Sequence, residues 1–217
     1  MVDNYLTLKN VSLGEFKDRG SKFIAFAVPV KSEEEVKLFL DELKPQHLKA
    51  RHFCYAYLIG VDKKNFRYND DGEPSGTAGK PIYGQIQSFD LIDVLIVVVR
   101  YFGGTKLGAS GLINAYREAA KEALNSAEIV ERFLVDKYQL TFNYDKMGFI
   151  MNTIKSLEFN IVEKRFENDC VLIVEFRKSA VEESLIKLKS VLLNVSPEYI
   201  EDKTKVDFCK IEKLKDA

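Results

Sequence analysis

The chain has 217 residues, 46% of them hydrophobic and 30% charged, with 32 Lys and Arg against 33 Asp and Glu. That apolar content excludes global disorder, and a formal net charge of −1 excludes nucleic-acid binding by bulk charge while leaving room for a local basic patch. Three scattered cysteines, Cys54, Cys170 and Cys209, exclude a disulfide framework or zinc knuckle and read as reduced, buried thiols.

The first residues, MVDNYLTLKN, lack the basic start and apolar run of a signal peptide. The most apolar stretch, Val94–Val99, is too short to span a bilayer. A cytoplasmic protein without a membrane partner is therefore expected. Val11–Phe16 and Lys22–Val30 read as strands around the turn-like Lys17-Asp18-Arg19-Gly20. Ser32 followed by Glu35 is a capping box, and Val36, Phe39, Leu40 and Leu43 form an apolar stripe, so Glu33–Leu43 is predicted helical up to Pro45. His52–Ile59 is strand-like and Gly60 ends it. Asn65–Pro81 is polar and without period, which predicts a loop, and Ile82–Ile86 reads as a short helix introduced by Pro81. Asp93–Tyr101 is almost continuously β-branched, as in a strand buried on both faces. Phe102–Gly111 is a glycine-rich connection to a helix over Leu112–Leu124, whose packing side holds Leu112, Ala115, Tyr116, Ala119, Ala120 and Ala123.

The second half alternates more simply. Tyr138–Tyr144 predicts a strand, Lys146–Leu157 a helix, Phe159–Phe166 and Cys170–Phe176 a hairpin about Glu167-Asn168-Asp169, Glu182–Leu193 a helix and Val206–Ile211 a last strand. The order β-α-β-β-α-β is the split βαβ arrangement, so residues 137–213 are expected to form a ferredoxin-like domain. The first domain is expected to run over residues 1–133, and the whole chain to be α+β.

Two connections carry candidate chemistry. In the first, Asp70, Asp71 and Glu73 sit within four positions among Gly72, Gly76 and Gly79. Carboxylates so spaced either build the loop through ion pairs with Arg67, Lys80 or Arg100, or bind a cation and act as acid and base. In the second, Arg100, Thr105, Lys106 and Ser110 accompany Gly103, Gly104, Gly108 and Gly111 at a strand-to-helix junction, a plausible anion site on helix amides. Neither a Walker A loop nor a Gly-x-Gly-x-x-Gly fingerprint is present, and Ser110 is not centred in a nucleophile elbow. A Ser110, His52, Asp70 triple carries little weight, since a chain this long yields many such triples. His52 and His47 without a cysteine pair make no zinc site, so no metal and no cofactor are expected. Tyr55, Tyr57, Phe66, Tyr68, Tyr83, Tyr101 and Phe102 interleave with Arg51, Arg67, Lys80, Arg100 and Lys106. Such a mixture reads either as core rings with solvated charges or as a stacking and phosphate-binding platform.

His52–Gly60 (HFCYAYLIG), Asp70–Pro81 (DDGEPSGTAGKP) and Val97–Gly111 (VVVRYFGGTKLGASG), in that order, resemble the YigZ/IMPACT family. The resemblance implies a first domain similar to the second domain of ribosomal protein S5, and a second similar to the C-terminal domain of the translocating elongation factor. It implies translation-associated binding: RNA or the ribosome, a translation factor or another regulatory protein as partner, and no DNA sequence readout. Eukaryotic relatives compete for an activator of an initiation-factor kinase, but no additional N-terminal RWD-like segment is evident here. The family motif often has Trp at Tyr55, Gly at Ser110 and Arg at Asn114. The last departure removes a cation from the proposed anion site. A small hydrolase or phosphoryl-transfer enzyme using Asp70, Asp71, Glu73 and Ser110 is the competing reading, and a protein-interaction module without nucleic acid is the third.

Overall fold

A computed structural model describes residues 3–167 and 169–214. The chain is α+β and divides into two units, one of Tyr5–Arg132 and one of Phe133 onward with the first residues through Asn4.

In the first unit, β1 (Asn4–Leu8) is followed by β2 (Ser12–Asp18), β3 (Ser21–Pro29), α1 (Glu33–Leu43), β4 (His52–Ile59) and β5 (Asn65–Asn69). Then come α2 (Gly79–Ser88), β6 (Val94–Tyr101), α3 (Gly108–Asn125) and β7 (Ile129–Phe133). Strands β1 and β7 form a two-stranded ribbon, and the other five make an antiparallel sheet of order β2-β3-β6-β4-β5. The β-branched β6 is central, and this explains why Val94–Val99 is buried throughout. One sheet face packs Phe23, Ala25, Cys54 and Val98 against α2 and α3; the other packs Phe53, Leu95, Val97 and Val99 with Val36 and Leu43 of α1. Ser32 caps α1 by accepting from the Glu35 amide at 3.3 Å, while Glu35 Oε2 accepts from the Lys31 amide at 2.7 Å. The small residues Ala115, Ala119, Ala120 and Ala123 let α3 lie close to the sheet. The approach is tightest at Gly14, where a Cβ would stand 2.2 Å from the Ala123 nitrogen.

The second unit holds β8 (Val135–Phe142), α4 (Met147–Ser156), β9 (Asn160–Phe166), β10 (Cys170–Arg177), α5 (Val181–Leu193) and β11 (Cys209–Lys213). Its antiparallel sheet has the order β11-β8-β10-β9. Leu140, Phe142, Leu172 and Val174 meet Ile150, Ile154, Leu188 and Leu192 in one core. Asn194 ends α5 in the left-handed region, with φ 55°, a conformation that asparagine tolerates. Asn168 of the expected hairpin turn lies outside the described residues.

Several sequence expectations are corrected. Asn65–Asn69 is a strand within the segment read as loop: it is an exposed edge, so no apolar alternation marks it. Helix α2 starts at Gly79 and ends at Ser88, beyond the predicted Ile82–Ile86, and α3 starts at Gly108, so Ser110 lies in its first turn. The ribbon β1–β7 was not anticipated, and the last strand is Cys209–Lys213 where Val206–Ile211 was expected. Among the described residues no helix is long and apolar enough to cross a membrane.

Two outcomes follow. Replacing Gly14 by Ala forces α3 off β2, so urea denaturation should show a loss of about 1–3 kcal/mol; an unchanged midpoint contradicts the close approach. All three cysteines are buried, and burial pushes Cys209 up to about 12 and raises Cys54 as well. The native protein at pH 8 should therefore leave a thiol reagent such as DTNB unconsumed until denaturant is added, whereas rapid native labelling would contradict that burial.

Candidate binding surface of the first unit

Three connections meet at one end of the five-stranded sheet. Strand β4 begins there at His52, β6 ends there at Tyr101, and His52 stands opposite Arg100 in the register. The loop between β5 and α2 folds back over this end and is held by its own acids. Asp70 Oδ2 accepts from the Gly76 amide at 2.8 Å, and Oδ1 accepts from the amides of Ala78 at 2.9 Å and Gly79 at 2.8 Å. Helix α2 has no side-chain cap of its own, so a carboxylate eight positions upstream of Ala78 serves its N-terminal amides. Gly79 has to be glycine here, because a Cβ would lie 2.6 Å from the Asn69 nitrogen. Asp71, with φ 40°, turns its Oδ2 to the Phe53 amide at 2.6 Å. The Asp71 carbonyl lies 2.9 Å from His52 Nδ1, which makes that ring nitrogen the proton donor.

Glu73 goes deepest. Its Oε1 accepts from Arg100 Nη1 at 2.5 Å and from the Tyr116 hydroxyl at 2.8 Å, and the two charged side chains are only 4% and 7% exposed. The Arg100 guanidinium lies 5.5 Å from the ring centres of both Phe23 and Phe102, while its Nε has no hydrogen-bond partner among the described residues. Tyr116 packs edge-on to Phe23, 5.1 Å between centroids, and Cys54 Sγ lies 3.3 Å from its hydroxyl and 3.0 Å from the Asp70 carbonyl. Burial, with Cys54 and Glu73 adjacent, pushes the Tyr116 phenol far up, so it remains a donor to Glu73.

This placement revises the expected site. Arg100, read either as a phosphate contact or as an ion-pair partner of the loop acids, is buried and paired with Glu73. The carboxylates of Asp70, Asp71 and Glu73 all accept from donors of the fold, and His52 faces the Asp71 carbonyl, so the Ser110, His52, Asp70 triple does not assemble. Arg51, Thr105, Lys106 and Ser110 remain exposed around the same sheet end, beside an α3 N-terminus that has no side-chain cap. Gly103 backs this loop: a Cβ on it would stand 1.9 Å from the Gly20 carbonyl carbon. Lys80 is exposed on α2. Arg67 belongs to the opposite side of β5, where a groove of about 590 Å³ runs between α1 and Phe53, Tyr55 and Tyr57. Sequence reasoning missed the parts of Tyr116 and Cys54 in this network. The available signal was a tyrosine on the packing side of an alanine-rich helix, since a buried phenol needs a hydrogen-bond partner.

Residues 19–124 match the family model of the Impact N-terminal domain. The chain is 39% identical over 169 residues to IMPACT family member YvyE of Bacillus subtilis, covering 78% of each. It is 31% identical over 170 residues to IMPACT family member YigZ of Escherichia coli, covering 77% of this chain and 83% of that one. A crystal structure of a hypothetical protein superposes with a TM-score of 0.70 at 26% identity, covering 94% of this chain and all of that chain.

The buried pair gives a direct test. Arg100→Met leaves Glu73 charged and unmatched, and Glu73→Leu strands Arg100; each should cost about 3–5 kcal/mol in chemical denaturation. The double variant should recover much of that loss, because both charges leave together. A double variant as unstable as the sum of the singles would contradict the pairing.

Proposed function

The chain belongs to the IMPACT family, and we propose that it is a translation-associated binding protein whose first unit contacts RNA. One observation carries this reading: the three acids of the glycine-rich loop are engaged by the fold, while Arg51 and Lys106 stand in solvent at the same sheet end. Carboxylates that each accept from fold donors are poorly placed to receive a proton or hold a cation, and this favours binding over the hydrolase reading. The amides of the first turn of α3, with Thr105 and Ser110, supply neutral donors for a phosphate beside Lys106. Contact with the ribosome extends the same chemistry, since its surface is largely phosphate. In architecture, we read the first unit as similar to the second domain of ribosomal protein S5 and the second as ferredoxin-like, which fits a place among translation proteins.

Fluorescence anisotropy with labelled transfer RNA at two salt concentrations tests the reading. Affinity should fall as salt rises, and Arg51→Glu with Lys106→Glu should weaken binding and flatten the log–log salt dependence by about 1.4 if two single-strand phosphate contacts are lost. Unchanged affinity in the double variant contradicts this surface. A partner protein retained after nuclease treatment, with no RNA bound, would replace RNA by a translation factor or regulatory protein.

A further inference from the structure

Phe66 and Tyr68 alternate onto one face of β5, opposite Leu58 and Ala56 of β4. On α2, Tyr83 lies beside both: stacked on Phe66, with centroids 5.1 Å apart and planes at 22°, and tilted at 5.9 Å from Tyr68. Phe66 is 47% and Tyr68 44% exposed, so these two rings line the free edge of the sheet, while Tyr83 is half-buried and also packs against the core. Neither β5 (NFRYN) nor α2 (GKPIYGQIQS) contains an acidic residue, and the intervening Asp70, Asp71 and Glu73 are turned to fold donors. Cations do surround the strip. Lys80 precedes Tyr83 by one helical turn on the same side, Arg67 stands on the reverse side of β5, and Lys63 is close by, paired with Asp90 at 2.7 Å. Gly84 adds a second observation. A glycine inside a helix disfavours it, yet a Cβ there would meet nothing within 4 Å, so packing does not require it. Gly84 lies one turn beyond Lys80, so it leaves bare backbone on the side of α2 that carries Lys80.

We propose that Phe66, Tyr68 and Tyr83 form a stacking platform for the bases of single-stranded RNA, with Lys80 at a flanking phosphate. The proposal rests on the RNA reading above and names the form of RNA bound. The exposed Phe66 and Tyr68 rings offer π-faces to any base, and Lys80 on the same side supplies a charge for the backbone. A duplex keeps its bases inside, so it loses the stacking contribution.

The test is anisotropy of the full chain with a labelled unstructured 12-nucleotide RNA and with a duplex of the same length. The single strand should bind more tightly. Tyr68→Ala and Tyr83→Ala should each weaken it about tenfold, without changing the salt slope that Arg51 and Lys106 set. Gly84→Glu, which has open space and a better helix former, should also weaken binding in a fully folded protein; together with Tyr68→Ala it decides the matter if Tyr83→Ala unfolds. Single-strand affinity unchanged in these variants overturns the platform while leaving the RNA reading in place. Loss of a nuclease-resistant protein complex in the same variants, with RNA affinity unchanged, assigns the strip to a protein and overturns the platform too. Absence of RNA binding by the unaltered chain overturns both readings.

Discussion

The buried contact between Glu73 and Arg100 is the constraint on which this end of the first unit depends. Two opposite charges removed from water require close pairing and further partners, and here Tyr116 adds a second donor to the carboxylate while two phenyl rings flank the guanidinium. The pair ties the β5–α2 loop to the central strand and, through Tyr116, to α3. Asp70 and Asp71 complete the attachment by accepting four backbone amides between them. Each acid of this loop thus accepts from a donor of the fold, and Arg51 and Lys106 stand exposed at the same sheet end.

Much of the architecture was legible because it is local. The Ser32 cap, the apolar stripe of α1, the buried β6 and the β-α-β-β-α-β order of the second half each follow from patterns within a dozen residues. What was hidden is non-local. Helix α2 begins at Gly79 only because Asp70, across a turn of glycines, supplies its cap. Strand β5 has no apolar period, since it is an edge whose exposed rings look like loop aromatics until α2 is placed beside them. The ribbon of β1 and β7 joins segments more than a hundred positions apart.

The candidate site shows the same division. The sequence placed glycines, acids and cations in two connections and left open whether the acids build or react. It offered Arg100 as one of three ion-pair partners for the acids without choosing among them, and it gave no sign that Tyr116 would turn its hydroxyl inward from a helix side read as packing. Removing Arg100 from the exposed set moves the cationic surface outward, to Arg51 and Lys106 at the sheet end and Lys80 beside the aromatic strip. The glycines divide by the same logic: Gly79 and Gly103 are demanded by backbone contact, whereas Gly84 is not.

Where a nucleic acid touches this chain decides between the two cationic surfaces and every alternative. Amide NMR with an unstructured RNA added stepwise addresses that residue by residue. Perturbations gathered at residues 66–68, 80–87 and 104–110, with the Glu73 and Arg100 signals shielded from change, are the predicted pattern. Perturbations confined to residues 133–214, or none at saturating RNA, would contradict it.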